Sequence, residues 1–123
     1  MVRILVVEDD VIQRQALDKV LKDQGYDVWL ASDGQEGLRR ALIDHPDLVL
    51  VDILMPVMDG ITMVEKIRAD SWGESVPIII LSNLDPSEDI VKGFLKSQPI
   101  AYMLKAYSSL EDVVKKIKEM LGT

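Results

Sequence analysis

The sequence contains no cysteine, which by itself removes disulfides, thiol catalysis and thiolate metal sites. It is also short of positive charge: 14 Lys and Arg stand against 21 Asp and Glu, a formal net charge of −7. Direct binding to nucleic acid is therefore not expected, because that needs Lys and Arg clustered on one face. The group Lys115, Lys116 and Lys118 is small and reads as a solvated helix face. No apolar run exceeds strand length, so no membrane span is expected. Arg3 leads straight into a strand-like run and leaves no room for a signal peptide, which makes the cytoplasm the default compartment. What remains is 123 residues, 48% hydrophobic and 28% charged, the composition of one domain (residues 1–123) with a real core.

One stretch organises the rest. Leu48-Val49-Leu50-Val51 runs into Asp52, and Pro56, Asp59 and Gly60 then make a turn. Four apolar residues without polar alternation read as a strand buried on both faces of a parallel sheet, with Asp52 at its carboxyl end. Asp also ends strands simply because it suits turns, so Asp52 alone decides nothing. The pattern recurs, however. Ile4 to Val7 stops at Glu8-Asp9-Asp10, Tyr26 to Ala31 reads as a second strand, Val76 to Ser82 ends on a hydroxyl, and Ala101 to Lys105 ends on an ammonium.

Helices fill the intervals. Ile12, Ala16, Leu17, Val20 and Leu21 recur at helical spacing before Gly25, which suits a C-terminal cap. Asp33 and Glu36 have capping-box spacing ahead of Leu38, Ala41 and Leu42. Ile61, Val64 and Ile67 mark a third helix. Asp85-Pro86-Ser87-Glu88 starts a fourth, with the stripe Ile90, Val91, Phe94 and Leu95. Ser108 to Glu111 is a second capping-box pattern, and Leu110, Val113, Val114, Ile117 and Leu121 form the fifth helix. Five strand–helix units in strict alternation define an α/β fold with a parallel sheet. Right-handed crossovers and helices on both faces make it doubly wound and flavodoxin-like, with strand order 2-1-3-4-5.

In that arrangement the carboxyl ends of the strands share one edge, where ligands bind. Glu8, Asp9, Asp52, Ser82 and Lys105 all arrive there. Each has a bland reading: the acids as a helix N-terminus, Ser82 as a loop cap, Lys105 as a solvated strand end. Four strands delivering them to one edge favours a site. Clustered carboxylates repel, and one would stay protonated without a counter-ion. A hard divalent cation relieves this, and an all-oxygen set points to Mg2+, with Asp9 and Asp52 as ligands and Glu8 acting directly or through water. A carboxylate can attack phosphorus to give an aspartyl phosphate. Such a transfer needs mainly positioning and cations on the phosphoryl oxygens, roles that suit the metal, Lys105 and Ser82.

These motifs resemble, over the whole chain, the receiver domains of two-component response regulators. The matching segments are Ile4 to Asp10, Asp52 through Met55-Pro56 to Asp59-Gly60, Leu81-Ser82 and Tyr102 to Lys105. The resemblance implies that Asp52 is the phosphoacceptor, that Glu8 and Asp9 are the acid pair, and that the Leu54 carbonyl is a main-chain metal ligand. It also implies that Ser82 and Lys105 contact the phosphoryl group and that Tyr102 is an aromatic switch. A sensor histidine kinase or phosphotransfer protein would be the donor, and the face of helix 4, strand 5 and helix 5 would address an output domain or partner. Competing readings are a receiver-like interaction module that is never phosphorylated, and a magnesium-dependent aspartyl-phosphate hydrolase. The latter lacks the expected second acid at Leu54, and no turnover enzyme is expected.

Four features depart from the family pattern. Asn83 replaces the usual Ala or Gly, tightening access to the site. Ala106 replaces the proline after the lysine; a non-proline cis bond costs roughly 2.5–4 kcal/mol, so Lys105–Ala106 is expected to be trans. Ser97-Gln98-Pro99-Ile100 replaces a small Gly-Ala loop, and Ile100-Ala101 replace acids that precede the aromatic in one DNA-binding subfamily. Leu54 and Leu84 offer no side chain to orient water, so self-dephosphorylation is expected to be slow. His45 reads as a loop residue, Met55, Met58 and Met63 as core and loop packing, and Trp29 and Trp72 as packing residues.

Overall fold

The computed structural model describes residues 1–85 and 98–123. Strands β1 (Arg3–Val7), β2 (Asp27–Ala31), β3 (Leu48–Val51), β4 (Ile78–Ser82) and β5 (Ile100–Leu104) form a parallel sheet in the order β2-β1-β3-β4-β5. Helices α1 (Val11–Asp23), α2 (Gly34–Asp44) and α3 (Gly60–Ala69) follow the first three strands, and α4 (Leu110–Leu121) corresponds to the fifth helix of the sequence. The fourth helix expected after Asp85 lies outside the described residues. The doubly wound, flavodoxin-like sheet expected from the alternation is the one found.

The core shows why the strands carry no polar alternation. Side chains of a strand point alternately to its two faces, and here both faces are covered. Leu5, Val7, Val49, Val51, Ile78 and Ile80 pack with Ala41 of α2 and Met63, Val64 and Ile67 of α3. Their neighbours Ile4, Val6, Leu48, Leu50, Ile79 and Leu81 pack with Leu17 and Leu21 of α1 and Val113, Val114 and Ile117 of α4. From Ile4 to Val7, Leu48 to Val51 and Ile78 to Leu81 every position is apolar because every position is inside.

The ends of elements differ from expectation where local geometry intervenes. β4 begins at Ile78 rather than Val76, since Pro77 has no N–H to give the ladder, although its carbonyl accepts from the Val49 amide at 3.0 Å. β5 ends at Leu104, one residue before Lys105. Asp33 caps α2 by accepting from the Glu36 amide at 2.8 Å, but Glu36 takes the Ser32 hydroxyl instead of completing a box. The box on α4 forms one residue later than expected, between Ser109 and Asp112. A 3-10 turn over Lys105–Tyr107 leaves Ser108 extended and moves the helix start on by one. The Lys105–Ala106 bond is trans.

Arg68 on α3 ties the amino edge of the sheet, donating to the carbonyls of Gly73 (2.9 Å), Val76 (2.7 Å) and Pro99 (2.9 Å). The packing readings hold for the rings: Trp29 lies under the guanidinium groups of Arg3 and Arg40, and Trp72 stacks on His45 at 4.7 Å. Met63 is fully buried, with Met55 and Met58 packed against the same core.

Candidate functional site

Asp52 is the first residue beyond β3. Its amide still donates to the Val7 carbonyl at 3.1 Å, so the ladder fixes its main chain while the carboxylate leaves the sheet edge. Glu8, the first residue beyond β1, is fixed in the same way by donating to the Ala31 carbonyl at 3.0 Å. Gly60 packs beneath Asp52 so closely that a Cβ there would lie 2.2 Å from the Asp52 carbonyl oxygen. The glycine of the Asp59-Gly60 pair is therefore demanded by the main chain of Asp52. Between them, Val57 adopts φ +68°, and the Met58 amide closes a tight turn onto the Pro56 carbonyl at 2.7 Å.

Lys105 joins the two acids. Its Nζ lies 2.6 Å from Glu8 Oε1 and 2.8 Å from Asp52 Oδ2. Glu8 and Asp52 are only 2% and 7% exposed. Burial pushes the Glu8 carboxyl above its ordinary value, against the opposing pull of Lys105 and of the Asp10 amide, which donates to Oε2 at 3.2 Å. Burial acts to lower Lys105, but its bonds to Asp52 and then Glu8 outweigh that and hold the ammonium above its ordinary value. The repulsion that the sequence assigned to an added cation is thus already met in part by an internal one.

The oxygen set nevertheless suits a small hard cation. Glu8, exposed Asp9 and Asp52 each offer a carboxylate oxygen, and these lie within 4.8 Å of one another. Asp52 Oδ1 is buried and has no hydrogen-bond partner among the described residues, a state that a hard cation would relieve.

The remaining expected residues stand around this trio. Ser82 is fully buried at the end of β4, beside Leu104 of β5. Its hydroxyl accepts from the Leu84 amide at 3.4 Å and makes no bond to the acids. Tyr102 is half-buried, and its hydroxyl donates to the Leu84 carbonyl at 2.5 Å. Leu54 turns its side chain outward, 59% exposed, so the main chain is its only polar offering to the site. Asn83 is exposed and lines, with Asp10, Gln13, Lys105 and Ala106, a groove of about 390 Å³ beside the site. Sequence reasoning missed Arg14, whose Nη1 donates to the carbonyls of Glu8 (2.8 Å) and Asp9 (3.3 Å). The available signal was a cation in the first turn of a helix, where the dipole disfavours it.

The flavodoxin-like sheet thus carries an acid cluster and a paired lysine at its carboxyl edge. Residues 4–118 match the family described as the response regulator receiver domain, and the chain belongs to that family, the receiver domains of two-component systems. It is 37% identical over 120 residues to the response regulator MprA of Mycolicibacterium vanbaalenii, covering 98% of this chain and 50% of that protein. A second MprA, from Mycobacterium ulcerans, is 36% identical with the same coverage. The chain thus spans about half the length of the curated relatives it matches. Among solved structures, a CheY-like receiver domain from Methanospirillum hungatei superposes with a TM-score of 0.88 at 29% identity, covering 99% of this chain and 94% of that one. The receiver domain of the sensor histidine kinase PA1611 from Pseudomonas aeruginosa, with a magnesium ion coordinated in its active-site cleft, gives 0.86 at 28% identity, covering 98% of each.

Proposed function

We propose that Asp52 accepts a phosphoryl group from a sensor histidine kinase or phosphotransfer protein in a magnesium-dependent reaction, and that the change is passed to an output domain or partner in the cytoplasm. The observation that carries the reading is the Asp52 carboxylate: one oxygen held by Lys105, the other buried without a partner among the described residues, and Glu8 and Asp9 within reach. Glu8, Asp9, Asp52 and the Leu54 carbonyl would hold the Mg2+, which supplies positive charge against the phosphoryl oxygens. An Asp52 oxygen attacks phosphorus, the new P–O bond forms as the donor's P–N bond breaks, and the donor nitrogen keeps the electron pair. Lys105 then pairs with the phosphoryl group.

Ser82 reaches the phosphoryl group by giving up its bond to Leu84, the residue that also anchors the Tyr102 hydroxyl. Charge added at Asp52 thereby shifts the population of Tyr102 positions on β5, and with it the face around β5 and α4. A protein donor is favoured by the rim of the edge, where Val11, Ile12, Leu54, Val57 and Tyr107 expose large apolar side chains. The domain catalyses its own modification and is not a turnover enzyme, because Leu54 and Leu84 cannot orient an attacking water. Incubation with acetyl phosphate and Mg2+ should give one phosphate-sized mass adduct, absent in Asp52→Ala and without Mg2+, that outlasts seconds by a wide margin. No adduct would leave a pure interaction module; rapid decay would point to a hydrolase.

A further inference from the structure

We infer that Arg14 is a positioning residue for the acid loop, holding Glu8 and Asp9 in the arrangement a cation requires; this rests on the reading of that loop as a metal site. Arg14 sits in the first turn of α1, at the helix end that disfavours cations, and that turn contains no acid to pair with it. Its side chain bends back instead, and one guanidinium nitrogen grips two consecutive carbonyls, Glu8 at 2.8 Å and Asp9 at 3.3 Å. The two residues it grips carry two of the three clustered carboxylates.

The need for such a grip is clearest at Asp9. Glu8 is aimed by Lys105 and by the Asp10 amide, and Asp52 by Lys105. Among the described residues the exposed Asp9 carboxylate makes no hydrogen bond or ion pair, so its direction comes from the main chain. Asp10 holds that chain from one side by capping α1 through the Ile12 and Gln13 amides. Arg14 holds it from the other, and losing a group that orients a metal ligand typically costs about 10–100-fold in affinity.

The idea is open to a test of sign. As a charge, Arg14 repels a metal cation, so removing it would tighten binding; as a holder, removing it would loosen binding. Mg2+ is titrated calorimetrically at constant ionic strength into the wild type, Arg14→Gln, Arg14→Lys and Asp9→Asn, with melting in EDTA as a check on folding. Arg14→Gln should weaken Mg2+ binding about tenfold, the low end for outer groups of a metal site, with little change in melting. Arg14→Lys keeps the charge and a donating nitrogen but on a shorter, unbranched side chain, and should fall between. Asp9→Asn should lose binding. Equal or tighter binding by Arg14→Gln, or Arg14→Lys no better than Arg14→Gln, overturns the inference. Should Arg14→Gln fail to fold, Arg14→Lys against wild type decides it. A wild type that binds no Mg2+ overturns the metal-site reading, and this inference with it; a binding wild type with an unaffected Arg14→Gln overturns the role of Arg14 alone.

Discussion

Lys105→Met puts the electrostatics of the site to the test. Methionine has a comparable reach and no charge, so Glu8 and Asp52, both buried, lose their shared ammonium. Breaking a buried ion pair by removing one partner typically costs about 3–5 kcal/mol. Glu8 can avoid part of that by taking up a proton. At pH 7, protonating a carboxyl of ordinary value 4.5 costs about 3 kcal/mol, from 2.5 pH units at roughly 1.36 kcal/mol each. The cheaper route sets the loss, about 3 kcal/mol or roughly 10 °C for a chain of this size. The folded variant then holds a proton that its unfolded chain releases, so the loss shrinks as the pH falls towards 4.5. In the wild type, burial raises Glu8, and stability declines as the pH rises from 4.5 through its folded value. Lys105 is raised as well, so its contribution is complete below 10.5 and disappears only as the pH climbs through its higher folded value. The assay is denaturant unfolding of both proteins in EDTA at pH 7 and pH 5, followed by circular dichroism. A loss below 1 kcal/mol at pH 7, or one equal at the two pH values, would refute the reasoning.

Three other substitutions probe the frame of the site. Val57→Gly should stabilise by about 0.5–1 kcal/mol in the same unfolding assay: relief of a left-handed β-branched residue is worth roughly 1–2, less the added freedom of glycine when unfolded. Val57 is 75% exposed, so little packing is lost, and a destabilised variant would mean the turn is unstrained. Gly60→Ala forces a methyl to within 2.2 Å of the Asp52 carbonyl oxygen, and should lower stability by about 1–3 kcal/mol and slow acetyl phosphate labelling of Asp52. Labelling at the wild-type rate would show that the Asp52 main chain need not be held there. Arg68→Met takes the guanidinium donor from the Gly73, Val76 and Pro99 carbonyls, of which Pro99 keeps the Ile78 amide at 3.2 Å, and should destabilise by about 3 kcal/mol, read by thermal melting, with Mg2+ affinity unchanged because the site lies at the opposite edge.

The sheet could be read from the sequence because doubly covered strands must be apolar at every position, and runs such as Leu48 to Val51 leave few alternatives. Strand order followed from general rules of connection. The convergence of Glu8, Asp9, Asp52 and Lys105 followed in turn, because parallel strands share their carboxyl edge. Reach was not legible. Nothing in the sequence says that Lys105 spans to Glu8 as well as Asp52, since that depends on how far β5 lies from β1 across two intervening strands. Arg14 was hidden for another reason: its partners are carbonyls, which every residue carries. The shift of the α4 cap from Ser108 to Ser109 came from a 3-10 turn, where the spacings of two neighbouring serines could not be told apart. Val57 ran against its own preference, a β-branched residue in a conformation that favours glycine.

Arg68 and Lys105 fasten opposite edges of the sheet, and the two fastenings differ in kind. Arg68 gathers main-chain carbonyls near the starts of β4 and β5, groups that neither titrate nor react, through a side chain that stays charged at any ordinary pH. Lys105 gathers carboxylates, which protons, metal ions and phosphoryl groups can all compete to bind. A chemical event can therefore release one edge while the other stays shut. The strands are staves bound at the base by groups that do not react and tied at the top by a knot that chemistry can undo.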